Sequence, residues 1–481
     1  RRGPHLRDAL RSLATVLFLL ALTALAGLVL VVRLPQLVML PLGDALAAPL
    51  MRVLALPALT ALLILLPPAV CTGYAFPLAC RMMAATRSAL GRDVGLTLLA
   101  NTAGAVLGPV LATFVLIPWL GAATSIALVA AVVLAVAGWV ASRRAAGRAR
   151  NLLYGVAAAL AVLVFAAPTL RVLPPSFTAF DRDVLFYRES VEGTLTVGQD
   201  RQPGGTKHTF VNNSAVIGSS YDAIKVVKMV GHFPFLLGLE ARDVLVVGFG
   251  IGVTTSAIAS HDVVERIDCV ELVAGLLDAA RYYRDLNHGV ADDPRLHVIG
   301  GDGRHHLQRT DRTYDLISCD PTHPILGSGN LYTVDYFELC REHLAPGGMV
   351  SQYLPLHKLG TPEFEGLIAT FGAVFPHSAV WLGHYHAVLL GSDQPLAVDF
   401  ADWAGAVDAL GDDPHFYVDP YHLAATLPLD DAAIARLVAT RPLNTDDHSY
   451  TEFFRLGCLD GANLVANPRA LPAAPVPPTP V

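Results

Sequence analysis

Along the first third of the chain, apolar positions run on without polar interruption. Leu13 to Val32 carries no charged residue and is long enough to cross the ~30 Å hydrocarbon layer of a bilayer as a helix. Similar runs fall at about Val53–Ala79, Leu96–Leu120, Ala122–Ala141 and Leu152–Leu170. A cleaved signal peptide would account for one such run, not five. Within them, "NTAGAVLGPVLATF" places Gly104 and Gly108 four residues apart, a spacing that lets helices approach closely. "GYAFPLAC" contains Pro77, which is expected to break or kink its helix. Neither segment has an ionisable residue at mid-membrane depth, so the pattern gives little support to a transporter.

From about Arg171 the periodicity changes. "VLFYRESVEGTLTVGQD" and "KHTFVNNSAVIGSS" read as a small antiparallel unit of two or three hairpins, with Gly and Asn at the turns. Five apolar strand candidates follow: Val244–Val247, Ile267–Leu272, Leu296–Ile299, Leu316–Cys319 and Met349–Tyr353. Helical patterns such as "AGLLDAARYYRDL" separate them, and that alternation implies a Rossmann-like α/β fold, a parallel sheet with helices on both faces. The expected organisation is therefore a multi-pass helical membrane domain of about five spans over 1–170 and a β-rich unit over 171–235. A Rossmann-like domain over 236–460 and a disordered Pro-rich tail over 461–481 complete it.

Composition fits two parts of opposite character: 53% of residues are hydrophobic and 16% charged, with a mean hydropathy of +0.48. A net charge of −7 and a pI near 6.2 argue against a nucleic-acid partner, which would demand a basic face. The cysteines, Cys71, Cys80, Cys269, Cys319, Cys340 and Cys458, show no metal-ligand spacing and are read as core filler. The chain starts at Arg1 rather than Met, so the sequence is expected to begin inside a longer gene product or after processing.

The stretch "DVLVVGFGIGVTTSAI" carries the chemistry. Gly248, Gly250 and Gly252 follow the first strand where the chain must turn into a helix near Val253, and the bare backbone there can approach a ligand. Glu271 ends the second strand 23 residues after Gly248, placed to accept ribose hydroxyls of any adenosine-bearing cofactor. Asp302, in "GGDGRHHL", lies at the end of the third strand, where an Asp also serves as a helix cap. Asp320, in "YDLISCDPTHP", ends the fourth. Three acids thus converge on one edge of one sheet.

At these residues the chain resembles the polyamine aminopropyltransferases, the spermidine synthase family. The motifs run in order as "VVGFGIG", "CVEL", "GDGR", "YDLISCDPTHP" and "NLYTVDYFELCREHLAPGGMVSQY". The apolar half, with "GYAFPL" and "NTAGAVLGPVLATFVLIPWLG", is similar to the subgroup fused to membrane helices, as is "LNTDDHSYTEF". The resemblance implies an SN2 transfer of an aminopropyl group from decarboxylated S-adenosylmethionine to an amine such as putrescine, without metal. It implies that Glu271 holds the ribose, that Asp302 and Gly303 contact the adenine, and that Asp320 holds the attacking amine's proton. Gln352 and Tyr353 would line the acceptor side, and a homodimer is among the assemblies it suggests; Tyr332, in "SGNLYT", is read either as a residue over the acceptor pocket or as plain packing.

Two positions depart from the family pattern. Ile251 stands where an Asp usually anchors the donor's amine, and His323 replaces the second acid of D-x-x-D. Both changes remove negative charge that a cationic donor and acceptor would want. His323 is therefore a candidate replacement base, and two other readings stay open: an S-adenosylmethionine-dependent methyltransferase, and a non-catalytic membrane carrier or sensor with a degenerate nucleoside domain. His305, His306, His357 and His384 show no metal-ligand spacing on one helix. Topology adds a conflict. Arg1, Arg2, Arg7 and Arg11, then Arg81, Arg87 and Arg92, then Arg143, Arg144, Arg148 and Arg150 mark cytoplasmic loops of a cell-membrane protein. Five spans would put the catalytic part outside, whereas cofactor supply favours the cytoplasm; the sequence leaves the face open.

Overall fold

The structure is a computed structural model. It describes residues 4–34, 50–83, 90–142, 170–321, 328–452 (apart from 358, 384, 412, 414, 417, 418 and 428) and 462–471. These form two compact units, Arg1–Arg182 with Tyr187–Thr194, and Asp183–Phe186 with Leu195–Val481.

In the first unit, helices span Pro4–Leu34, Leu56–Met83, Leu90–Leu111 and Ala122–Ser142. The third continues through a wider π turn, Ala112–Leu116, into Ile117–Leu120. Gly121, at φ +80, then separates it from the fourth. Four segments are long and apolar enough to cross a membrane: Ala9–Arg33, Leu56–Met82, Gly91–Leu120 and Ala122–Ala141. Residues 152–169, nearly all of the fifth expected run, lie outside the described residues. The first and fourth helices pack through small side chains, with Ala21 against Ala130 and Leu134, and Leu28 against Ala123 and Ala127. Leu65, Leu99, Leu107 and Phe114 are all more than half exposed, a greasy exterior that water disfavours.

Two expectations for this unit change. Pro77 does not end its helix, which runs unbroken past Pro67, Pro68 and Pro77 to Met83. Apolar helices of this kind accommodate proline because neighbouring groups can re-satisfy the freed carbonyl. The Gly104 and Gly108 face also has no helix on it among the described residues: an added Cβ there would meet nothing within 4 Å.

Next along the chain comes a four-stranded sheet in sequential order: β1 Arg182–Glu189, β2 Thr194–Asp200, β3 Lys207–Val211 and β4 Ser214–Gly218. Asn212 and Asn213 turn the β3–β4 hairpin with φ of +50 and +64, the left-handed pair that a two-residue turn requires and asparagine tolerates. Seven strands follow: β5 Asp243–Val247, β6 Arg266–Glu271, β7 Leu296–Gly300, β8 Tyr314–Cys319, β9 Leu344–Pro355, β10 His377–Leu382 and β11 His386–Ser392.

Their order is β10-β11-β9-β8-β5-β6-β7. Strands β5 to β9 are parallel, as the alternation predicts, but β11 runs antiparallel to both of its neighbours, β9 and β10, so the sheet is mixed. The reason is the short connection between β10 and β11, which can only join antiparallel neighbours. Side chains of β5 alternate between two cores. Val244 and Val246 pack with Val230 and Phe233 of the helix Tyr221–Leu236, while Leu245 and Val247 pack with Phe337 and Ile317 on the other face.

The chain end packs further than the sequence suggests. Asn463–Ala470 is a helix, and fully buried Asn467 donates to the carbonyls of Leu356 and Leu359. The ordered chain therefore extends past 461, and the Pro-rich residues 472–481 lie outside the described residues.

Candidate active site

The order of the sheet reverses between β5 and β8, and an open α/β sheet presents its ligand crevice at such a point, beyond the carboxyl ends of the strands. A cavity of about 670 Å³ opens there. Gly248, Gly250, Glu271, Asp302, Gly303, Asp320 and Tyr353 all line it.

The glycine loop is held by the carboxylate predicted opposite it. Glu271 Oε2 accepts from the backbone N–H of Phe249 (2.7 Å) and Gly250 (3.1 Å), and Oε1 from Val273 (2.7 Å). Burial raises this acid above its ordinary range, and the backbone donors oppose the shift. Gly248 adopts φ +92, and a Cβ on it would lie 3.2 Å from the Asp320 carbonyl, so the two strand ends meet only because that side chain is missing. Gly252 lies elsewhere. At φ +82 it caps the helix Val253–Ala259, and its Cα faces Phe249 and Val290 rather than the cavity.

Asp302 caps the helix Gly303–Leu307 by accepting from the N–H of His305 at 2.8 Å, and it still borders the cavity. Gly303 packs on Val247, where a Cβ would come within 2.5 Å of Cγ1. Asp320 is partly buried between the ends of β5 and β9, and the Thr254 hydroxyl donates to its Oδ2 at 2.8 Å. Burial pushes its carboxyl up to about 6, against a weaker opposing pull from that hydroxyl. An acid poised there changes protonation state near neutral pH. Thr254 also lies 3.2 Å from the Val227 carbonyl, where the two helices touch at Gly231; a Cβ at Gly231 would lie 2.7 Å from Ala257 and 2.9 Å from the Thr254 carbonyl.

The acceptor side differs from expectation. Gln352 and Tyr353 do not both line the cavity among the described residues. Tyr353 lines it; Gln352 is fully buried opposite Cys319. Tyr332 is also fully buried, donating its hydroxyl to the Tyr353 carbonyl at 2.8 Å, so it supports the wall from behind. His323 and His384 lie outside the described residues. Ile251 is buried in the core at 1% exposure, and its carbonyl accepts from Asn287 Nδ2 at 2.7 Å.

Sequence reasoning missed several groups. His208, His357, Tyr385 and His386 line the cavity, and Thr254 orients Asp320; they come from elements far apart in sequence. The segment "LNTDDHSYTEF" packs beside the site. Asp446 binds the guanidinium of Arg304 through two contacts and accepts from the Thr333 hydroxyl at 2.8 Å, while Glu452 accepts from the N–H of Gly329 at 2.8 Å. The Arg304 partnership holds the Asp446 carboxyl below its usual range. This segment clamps the loop after β8, whose Ser328, Asn330 and Leu331 also line the cavity.

Fold and cavity together define a Rossmann-like domain with Glu271, Asp302 and Asp320 at the carboxyl edge of its sheet. Residues 224–378 match the family model of the spermine/spermidine synthase domain. A polyamine aminopropyltransferase of Escherichia fergusonii is 37% identical over 123 residues, 25% of this chain and 43% of that protein. One from Klebsiella pneumoniae is 35% identical over 168 residues, 35% of this chain and 58% of that protein. The chain thus spans about half the length of these curated relatives. The solved spermidine synthase of Thermotoga maritima is 20% identical, with a TM-score of 0.46 over 54% of this chain and 88% of that one.

Proposed function

We propose that the chain is a membrane-anchored aminopropyltransferase. It takes decarboxylated S-adenosylmethionine as donor and a small amine such as putrescine as acceptor. The observation that carries this reading is Asp320: a carboxyl raised to about 6, hydrogen-bonded by Thr254, at the sheet edge beside the glycine loop. The amine nitrogen attacks the methylene next to the sulfonium, the C–S bond breaks, and methylthioadenosine leaves. The proton released from the nitrogen passes to Asp320. Because the sulfonium is already activated, the protein's task is alignment and keeping the amine unprotonated. Glu271 receives a ribose hydroxyl on Oε1, and Asp302 with Gly303 borders the adenine. His323 stands beside Asp320 in sequence as a second base for the acceptor.

Ile251 favours a second reading, methyl transfer from S-adenosylmethionine itself, because no carboxylate at that position anchors the donor's amine. Calorimetry of the full chain in detergent separates the two. Aminopropyl transfer expects decarboxylated S-adenosylmethionine and methylthioadenosine to bind tighter than S-adenosylmethionine, and spermidine to form from putrescine. Tighter binding of S-adenosylmethionine, with methyl but no propylamine transfer, refutes it.

A further inference from the structure

Asp320 is the one cavity-lining carboxylate of the described residues that the fold does not also use as a cap or a loop clamp, yet an amine acceptor must be held at more than one point. Beside it, at the ends of neighbouring strands, Tyr353 Oη lies 2.7 Å from His386 Nδ1. The far ring nitrogen of His386, Nε2, lies 3.6 Å from Asp222 Oδ2 in the first turn of the helix Tyr221–Leu236. Tyr353 and His386 both line the cavity. Among the described residues, His357 also faces His386 edge-on with ring centres 5.2 Å apart, and Tyr385 does so at 6.4 Å.

We propose that Asp222 and His386 are positioning residues that fix the polarity of the Tyr353 hydroxyl, making its oxygen a second holding point for the acceptor amine. The inference rests on the aminopropyltransferase reading above. A carboxylate at Nε2 favours the tautomer with its hydrogen there, leaving Nδ1 bare. Bare Nδ1 takes the phenol hydrogen, and the Tyr353 lone pairs then face the cavity. A wall of that polarity accepts N–H groups and rejects carboxylates or carbonyls, which bring only acceptors. When His386 gains a second proton, Nδ1 becomes a donor to the phenol oxygen. The phenol hydrogen then turns toward the cavity, and the amine loses its partner.

The test uses the full chain in detergent, with putrescine titrated into protein saturated with methylthioadenosine. Tyr353→Phe and His386→Phe should each weaken putrescine about tenfold, one hydrogen bond's worth, and raise KM more than they lower kcat. Their methylthioadenosine affinity should stay near that of the unmutated chain. His386→Asn, whose amide oxygen can replace Nδ1, should recover most of the loss. Putrescine binding unchanged in His386→Phe, or equally weak in His386→Asn, overturns the proposal. Imidazole ¹⁵N shifts give a ligand-free readout: hydrogen on Nε2 supports it and hydrogen on Nδ1 refutes it. If methylthioadenosine does not bind at all, the functional reading fails, while the tautomer still decides this one.

Discussion

Asp320 faces two opposing demands. Its carboxyl sits near 6 in the fold against roughly 3.9 when unfolded, so the ionised form is the one the folded state disfavours. That penalty is absent below the unfolded value and complete above the folded one. Asp320→Asn should therefore stabilise the chain at pH 8, by up to about 3 kcal/mol, and leave stability at pH 3 unchanged in thermal melts. The same change should cut transfer by about 10²-fold or more. Activity of the unmutated chain should rise with pH through about 6, as Asp320 loses its proton, which an initial-rate profile checks. Glu271→Ala should weaken methylthioadenosine by roughly 10-fold or more, since it removes both a cavity carboxylate and the clamp on Phe249 and Gly250. The acids and glycines were legible in the sequence because each directly follows an apolar strand. Thr254 and His386 were not, because nothing local marks which distant helix or strand will close on Asp320 or Tyr353.

At the level of elements, the strands were readable and their surroundings less so. β5 to β9 fall where short apolar runs predict them, but periodicity carries no sign of strand direction, so the antiparallel β10–β11 edge went unseen. Gln352 and Tyr353, expected together on the acceptor side, differ in place: Tyr353 lines the cavity and Gln352 is fully buried opposite Cys319. The β5–β8 junction makes a direct prediction. Gly248→Ala forces a side chain into φ +92 and toward the Asp320 carbonyl, and should cost about 1–3 kcal/mol in denaturant melts. Asp446→Ala leaves Arg304 without its two-pronged partner and Thr333 without its acceptor. It should speed proteolysis near 328–333 and raise the donor KM more than it lowers kcat.

For the whole molecule, one unit supplies apolar helices and the other a cavity at the carboxyl edge of its sheet. Four helices are long and apolar enough to span a bilayer. If they do, the chain should sediment with membranes, resist extraction by carbonate or high salt, and dissolve only in detergent. A cysteine at exposed Ser260, probed with an impermeant reagent in intact cells, reports the face of the catalytic part. The arginine pattern was readable from the sequence; the direction it implies depends on the number of spans, and nearly all of the fifth run lies outside the described residues.

The contact at Gly231 sets a tolerance for the whole reacting centre. Two helices close to within a methyl group's width there, and one of them carries the hydroxyl that steadies Asp320. A single added carbon on the far side of that helix would act as a wedge, shifting the base without touching any ligand. Chemistry at the rim is in this sense machined to the thickness of one hydrogen atom in the interior.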